Sequence, residues 1–220
     1  MNEFRNQLPD PSRIDVLPLD LEDQSSIEAL GSRIRETYSR VDVLLNVAGL
    51  LGNAKTTPGP ERSLTKIDRD WFETSLAINV IGPVMLTKEL VPLLSQTRRR
   101  RRDDGTVDRP VALVANLSAR VGSITDNGLG GWYSYRISKA ALNQATRTMA
   151  LELQRQAVWC VALHPGTTDT DLSKPFQGNV KKESLFPVDF TVNQLLKVMD
   201  SVHPEHSGGL YDWAGKAISF

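Results

Sequence analysis

The sequence predicts an α/β fold in which a doubly wound parallel sheet carries helices on both faces. Two nearly continuous apolar runs, residues 111–117 and 158–164, have the pattern of strands that are covered on both sides. A stretch with helical periodicity, from about residue 134 to residue 154, separates them. Strands that alternate with helices pair in parallel, because a parallel crossover needs the length of a helix. Ligands bind such sheets at the carboxyl ends of the strands.

The amino-terminal half adds two further strands and two helices to this prediction. Residues 14–19 are typical of a short strand, and residues 25–38 combine capping-box spacing with the apolar stripe of a helix. Residues 41–47 are again almost continuously apolar, so we expect that strand to be buried on both faces. Residues 65–94 predict a long helix, which Gly82 and Pro83 should bend.

The carboxy-terminal segments complete the alternation of strands and helices. A glycine-rich loop at 122–131 precedes the helix at 134–154, and Pro165-Gly166 stops the strand at 158–164. We expect a last helix at about 191–202 and a short final strand at 209–212. The sequence contains no internal repeat or interdomain linker, so residues 1–220 are expected to form one domain.

Composition argues against several classes of partner. Lys plus Arg and Asp plus Glu both number 26, and this zero net charge favours neither nucleic acid nor an anionic membrane. The arginine run at 98–102 is followed by two aspartates and is interpreted as a solvated loop. No apolar run has the length of a membrane span. The single cysteine, Cys160, excludes an intrachain disulfide, and we expect a cytoplasmic protein unless a targeting segment precedes this chain.

The strongest chemical signal is the spacing of Tyr135 and Lys139. The two residues stand four positions apart in a helical stretch, so both lie on one face. A phenol has a pKa of about 10, which is too high for easy proton exchange at neutral pH. A nearby ammonium favours the phenolate and lowers that pKa. The pair is therefore a candidate general acid/base, although a surface pair on a helix has the same spacing.

Other motifs accompany this pair in a fixed order along the chain: residues 46–49, 79–83, 116–118 and 164–170. With Tyr135 and Lys139, they resemble the short-chain dehydrogenase/reductase family. Residues 122–143 and 170–176 resemble its C-factor-like carbonyl reductase branch. The resemblance extends from residue 14 to residue 220. It implies a Rossmann-like fold and an oxidoreductase that uses NADP or NAD and acts on a small carbonyl or alcohol.

The resemblance also implies roles for individual residues. Tyr135 exchanges a proton with the substrate oxygen while a hydride moves to or from the nicotinamide. Lys139 holds the nicotinamide ribose. Asn79 anchors a water molecule for proton relay, or instead satisfies loose carbonyls at the helix bend. The cofactor-binding candidates are Asp20, Asn46, Ala48, Gly49, Lys139, Pro165, Gly166, Thr168 and Thr170. The family also leads us to expect a homo-oligomer.

Ser118 is the candidate for the catalytic serine, which would donate a hydrogen bond to the reacting oxygen. The family commonly has two serines here, and the second is usually catalytic. Counting back from Gly122 puts that second position on Ala119. The role therefore falls to the adjacent Ser118, to Ser123, or to no serine. His203 and His206 have no third ligand nearby in the sequence, so we expect no metal site.

The family's opening strand and its glycine-rich diphosphate loop have no counterpart in this sequence, and neither has its second strand. We therefore expect an incomplete sheet and doubtful cofactor binding by this chain alone. The strand at 14–19 could move to pair with 41–47, a partner chain could cover that edge, or the sequence belongs to a longer protein. Two alternatives to an enzyme follow, namely a non-enzymatic remnant used in signalling or association, and a fragment without a stable fold.

Overall fold

The structure is a computed structural model that describes residues 10–52, 60–95 and 112–220. Its α-helices are α1 (Gln24–Thr37), α2 (Arg69–Leu76), α3 (Gly82–Leu94), α4 (Tyr133–Leu153) and α5 (Val188–Asp200). Its strands are β1 (Val43–Asn46), β2 (Ala112–Leu117), β3 (Val158–His164), β4 (Thr167–Thr168), β5 (Leu185–Phe186), β6 (Leu210–Asp212) and β7 (Ala217–Ile218). The arginine run at 98–102 and the predicted first residue of β2, Val111, lie outside the described residues.

The main sheet has the strand order β1-β2-β3-β6-β7. The first four strands run parallel, and β7 pairs antiparallel with β6 at one edge. A small separate sheet joins β4 to β5, an element that the sequence pattern did not predict. The predicted α/β class with a parallel sheet is confirmed. The carboxyl ends of β1, β2 and β3 lie along one edge of the sheet, as the fold class requires.

Helices cover both faces of the sheet, and alternate residues of each strand enter different cores. Val114 of β2 and Cys160 of β3 pack with residues of α1, α3 and α4. Their sequence neighbours Leu113 and Val161 pack on the opposite face with Val198 of α5. This two-sided burial explains the nearly continuous apolar runs in both strands.

β1 departs from the prediction that it is buried on both faces. Leu44 is 9% exposed, whereas its neighbours Val43 and Leu45 are 50% and 44% exposed. Among the described residues, α5 alone packs on that side of the sheet, and it covers β2 and β3. The apolar run therefore predicted the strand correctly but overestimated its coverage.

The predicted strand at 14–19 is absent, because those residues have no regular secondary structure. A strand needs a hydrogen-bonded neighbour, and no described strand lies beside this segment. Side chains hold the segment in place instead. The Tyr38 hydroxyl donates to the carboxylate of Asp15, and Leu21 packs so closely on Gly82 that a Cβ there would lie 2.7 Å from the leucine Cβ.

The predicted long helix begins at its N-cap Asp68, whose side chain accepts from the backbone N–H of Trp71 at 2.8 Å. A π-helical turn, Ala77–Ile81, interrupts it just before Gly82, so the expected irregularity lies slightly upstream of the glycine. Residues 69–94 satisfy the length and hydropathy criteria of a membrane span, with a mean hydropathy of 1.4. A core helix meets the same criteria, and Leu90 and Leu94 lie buried in the core.

The other predicted helix boundaries hold to within a few residues. α1 and α4 each begin one residue earlier than predicted, and α5 begins three residues earlier. Helix ends depend on capping contacts that apolar periodicity does not report.

The uneven burial of β1 generates a stability prediction. Leu44→Ala should lower the free energy of unfolding by about 2–4 kcal/mol, because it opens a cavity in the core. Val43→Ala, on the exposed side of the same strand, should lower it by less than about 1 kcal/mol. Denaturant unfolding of both variants checks this. Equal losses would show that something covers Val43 in solution and would contradict the described burial.

Candidate active site

A cleft of about 580 Å³ opens at the carboxyl ends of β1, β2 and β3. Its walls come from the residues that follow these strands, from the start of α4 and from α5. The predicted site residues that line it are Gly49, Ser118, Tyr135, Lys139, Pro165, Gly166, Thr168 and Thr170. The fold thus brings four separate sequence motifs around one cavity.

Tyr135 and Lys139 lie on the same side of α4 and both face this cleft. The Lys139 ammonium nitrogen lies 5.6 Å from the centre of the Tyr135 ring. Lys139 Nζ also donates a 2.8 Å hydrogen bond to the carbonyl oxygen of Leu117, the last residue of β2. The helix that carries the tyrosine is therefore connected to the end of a central strand through a buried lysine, which is 3% exposed.

Burial is the main cause of the shifts in the pKa values of Tyr135 and Lys139. It raises the pKa of Tyr135 well above its usual value and lowers the pKa of Lys139 to about 8. Both directions follow from desolvation, which disfavours the phenolate as well as the ammonium. The net direction at Tyr135 is therefore upward, and the expected lowering of its pKa by Lys139 stays a prediction. At neutral pH the described pair is a neutral phenol beside an ammonium.

Asn79 does not line the cleft but lies behind it, fully buried in the π-helical turn. Its Oδ1 accepts from the backbone N–H of Leu50 at 2.7 Å, and its Nδ2 donates to the Leu50 carbonyl at 2.9 Å. Nδ2 also donates to Ser138 Oγ at 2.9 Å. The side chain thus connects the loop after β1 to α4, and these bonds do not go to carbonyls at the helix bend, as the structural alternative expected. Its role in proton relay stays a prediction.

Three predicted cofactor residues lie outside the cavity lining. Asn46 is buried, and its Nδ2 donates to Asn116 Oδ1 at 2.8 Å, so it ties β1 to β2. Ala48 is exposed at the end of β1. The Asp20 carboxylate accepts from the backbone N–H of Glu22 at 2.9 Å. The cofactor-binding role that the family resemblance implies for these residues stays a prediction.

The predicted catalytic serine has another partner. Ser118 Oγ donates to Asn143 Oδ1 at 2.6 Å, and both side chains are buried. The alternative, Ser123, donates to the carbonyl oxygen of Ser219. Ala119 lines the cleft beside Ser118 at the position to which the family pattern assigns the hydroxyl. Ser118 therefore has its one hydroxyl hydrogen already engaged.

Aromatic side chains lie in two groups near the cleft, of which Trp132 and Phe176 line it. The Trp132 ring lies 5.2 Å from that of Phe176, and Trp213 lies 4.6 Å from Phe186. Gly166 has a φ of +73°, and a Cβ there would lie 2.7 Å from the Phe186 ring. A side chain at this position would therefore be strained in the backbone and would clash with the Phe186 ring.

His164 also lines the cleft, and it is not among the site residues predicted from the sequence. Its Nδ1 is buried and has no hydrogen-bond partner among the described residues. Burial lowers the pKa of its imidazole to about 4, and the guanidinium of Arg120 acts in the same direction. His164 is therefore neutral at physiological pH.

The donor set fits the nicotinamide riboside end of a dinucleotide. The lining includes the Lys139 ammonium, four threonines and two glycines. At Gly49 a Cβ would lie 3.2 Å from Asn79 Oδ1 and 3.3 Å from Lys139 Nζ, so the small residue leaves room there for close approach to the backbone. Fold and cleft together define a Rossmann-like α/β protein with a tyrosine–lysine pair at the carboxyl ends of its parallel strands.

Comparisons with known proteins extend this description. The family described as short chain dehydrogenase matches residues 1–181. The C-signal of Myxococcus xanthus is 34% identical over 178 residues, which cover 81% of this chain and 92% of that protein. The 1-hydroxy-2-glutathionyl-2-methyl-3-butene dehydrogenase of Rhodococcus sp. (strain AD45) is 32% identical over 190 residues, with 86% and 73% covered.

Solved structures agree with the sequence relatives. The NADPH-bound carbonyl reductase from chicken fatty liver matches with a TM-score of 0.83 and 27% identity, over 100% of this chain and 82% of that chain. The carbonyl reductase Sniffer of D. melanogaster matches with the same TM-score and coverage at 26% identity. The chain therefore belongs to the short-chain dehydrogenase family of oxidoreductases, as the motif order predicted.

The lowered pKa of Lys139 generates a second stability prediction. The folded state binds this proton more weakly than the unfolded state, because its pKa is about 8 rather than 10.5. The destabilisation is fully present below pH 8 and disappears as the pH rises towards 10.5. At about 1.4 kcal/mol per pKa unit, Lys139→Met should raise the free energy of unfolding at pH 7 by about 1–3 kcal/mol, after the lost bond to Leu117 is subtracted.

Denaturant unfolding at pH 7 and at pH 10 measures this effect. The gain should be largest at pH 7 and should shrink at pH 10. Lys88→Met, at an exposed lysine of α3, is the matched control and should show no such pH-dependent gain. If Lys139→Met were as stable as the parent chain at pH 7, burial of the ammonium would not carry the predicted penalty.

Proposed function

We propose that this chain carries out the NAD(P)(H)-dependent interconversion of a small carbonyl compound and its alcohol, with Tyr135 as the general acid/base. The observation that supports this most directly is the placement of Tyr135 beside Lys139 in a cleft at the carboxyl ends of three parallel strands. In that cleft, the phenol could exchange a proton with the oxygen of a bound substrate while the ammonium lies nearby.

The cofactor would supply or accept the hydride at its nicotinamide ring. Lys139 would hold the ribose hydroxyls, and Gly49 would allow the loop backbone to approach the same end of the dinucleotide. Pro165, Gly166, Thr168 and Thr170 also line the cleft. The hydroxyls of Thr168 and Thr170, which in this structure bond to Thr191 and to the Thr168 carbonyl, would turn to an amide or a phosphate oxygen of the cofactor.

The protonation state of Tyr135 is compatible with proton donation during carbonyl reduction. Because burial raises the pKa of Tyr135, the side chain is a neutral phenol at physiological pH. A neutral phenol can donate its proton to a carbonyl oxygen as negative charge develops there. Its hydrogen bond to that oxygen then stabilises the developing alkoxide.

The cavity lining favours an apolar substrate body. Trp132 and Phe176 form an aromatic wall near Tyr135, and Leu172 lies on the same rim. Such a wall would hold the apolar part of the substrate while Tyr135 contacts its oxygen.

A signalling or association role is the second candidate function. Two observations favour it: the 34% identity with the C-signal of Myxococcus xanthus, and the exposed apolar side of β1. A chain that used its fold in this way would not need turnover. Homo-oligomer formation and a cytoplasmic location remain predictions from the sequence.

Cofactor binding and turnover distinguish the two candidates. NADPH and NADH are titrated into the chain, and oxidation of the bound cofactor is followed with a panel of apolar ketones and aldehydes. Tyr135→Phe should lower kcat by about 100- to 10,000-fold, because it removes the proton donor and keeps the ring. The dissociation constant of the cofactor should stay within about twofold, since the phenol oxygen adds little to ground-state binding. Unchanged kcat in this variant would contradict the proposed mechanism, and the absence of cofactor binding by the parent chain would favour the signalling role.

A pair of variants tests which residue, if any, supplies the serine hydroxyl that would hydrogen-bond the substrate oxygen together with Tyr135. Ala119→Ser should raise kcat by about tenfold, because it adds a hydrogen-bond donor at the cleft wall. Ser118→Ala should lower kcat by less than about tenfold, because the Ser118 hydroxyl hydrogen already goes to Asn143. Steady-state kinetics of both variants measure this. A large loss in Ser118→Ala without any gain in Ala119→Ser would return the catalytic role to Ser118.

A further inference from the structure

The helix that carries Tyr135 lacks a capping side chain of its own. The N-cap of α4 is Trp132, which has a φ of +56° and makes no side-chain capping bond. A tryptophan in the left-handed region of backbone conformation is strained. Its indole ring has a hydrogen-bond donor and no acceptor, so it cannot cap the free backbone N–H groups of the first turn. The first turn of this 21-residue helix therefore needs acceptors from elsewhere in the fold.

Glu61, which lies 73 residues before Ser134 in the sequence, supplies those acceptors. Its Oε2 accepts from the backbone N–H of Ser134 at 3.3 Å, and its Oε1 accepts from the Ser134 hydroxyl. Its backbone carbonyl accepts from the N–H of Trp132 at 2.5 Å. One residue thus contacts the N-cap and the first turn at three points.

Burial makes these contacts energetically important. Glu61 is 2% exposed, and a buried carboxylate is costly unless its oxygens accept hydrogen bonds. The partial positive charge at a helix N-terminus stabilises such a carboxylate, and the carboxylate in turn stabilises the first turn. Loss of either partner would leave buried polar groups unpaired.

The contacts lie next to the proposed chemistry. Ser134 directly precedes Tyr135, so the bonds to Glu61 fix the backbone from which the phenol projects. Trp132 packs its ring 6.4 Å from the Tyr135 ring and 5.2 Å from that of Phe176. The first turn of α4 therefore sets both the position of the phenol and the aromatic wall of the cleft.

We propose that Glu61 is a positioning residue for Tyr135, acting through Ser134 and Trp132 on the first turn of α4. This inference rests on the proposed function, since it concerns the step in which Tyr135 transfers a proton. Glu61 itself is not among the residues that line the cleft. A displacement of the phenol by about 1 Å would lower the rate of proton transfer by up to about 100-fold.

Three substitutions separate positioning from simple helix stabilisation. Glu61→Ala removes both side-chain bonds. Glu61→Gln can keep both, because its amide oxygen accepts from the Ser134 N–H and its amide nitrogen donates to the hydroxyl. Ser134→Ala removes only the hydroxyl bond and gives a milder variant if Glu61→Ala does not fold. Asp23→Ala is the matched control, since Asp23 caps α1 by accepting from Ser25 N at 2.9 Å, away from the cleft.

The measurements are kcat, the dissociation constant of NADPH, and backbone hydrogen exchange in residues 133–136. Glu61→Ala should lower kcat by about 10- to 100-fold and leave the NADPH dissociation constant within about twofold. Exchange should accelerate in the first turn of α4 and not in the rest of that helix. Glu61→Gln should recover most of kcat, and Ser134→Ala should lower it by a smaller factor than Glu61→Ala does. Asp23→Ala should leave kcat unchanged.

Two results would overturn the inference. One is a kcat for Glu61→Ala equal to that of Asp23→Ala. The other is faster exchange throughout the chain together with a kcat that falls only in proportion to the folded fraction. A parent chain that turns over no carbonyl substrate would overturn the proposed function, and the catalytic part of this inference with it. Failure of this inference alone would leave the effect of Tyr135→Phe intact.

Discussion

The buried ammonium of Lys139 is the constraint on which the site depends. It is bonded to the Leu117 carbonyl at 2.8 Å, and it lies one helical turn from Tyr135. That bond fixes the distance between α4 and the end of β2, so the phenol faces the cleft instead of solvent. Burial of the ammonium opposes folding at neutral pH. A group that destabilises the fold while facing a cleft is typical of a functional site.

Asn79 and Glu61 bring distant segments of the chain to this helix. Asn79 connects the loop after β1 to Ser138, and Glu61 connects the segment before α2 to Ser134. The two contacts lie on either side of Tyr135 in the sequence. In each case a fully bonded buried polar side chain joins elements that apolar packing alone would leave free to shift. These bonds therefore fix Ser134 and Ser138, on either side of Tyr135, to other parts of the fold.

Local pattern predicted the fold class and the tyrosine–lysine pair, since both depend on short sequence spacings. The local sequence pattern could not predict contacts between segments that are distant in the chain. Residues 14–19 have strand composition, but a strand forms only beside a neighbour. The partner of Ser118, Asn143, lies 25 residues away, and that of Glu61 lies 73 residues away. The upward shift of the Tyr135 pKa could not be read from the sequence, because spacing reports which charge is near and not how much solvent is lost.

The most direct test of this account is an NMR titration of the two side chains in the folded chain. Lys139 and Tyr135 would be labelled with ¹³C next to their titrating atoms, and the signals assigned with the Lys139→Met and Tyr135→Phe variants. The account predicts that Lys139 titrates with a pKa near 8 and that Tyr135 stays protonated beyond its usual value of 10. A Lys139 pKa at its usual 10.5 together with a Tyr135 pKa below 10 would contradict the claim that burial controls the pair.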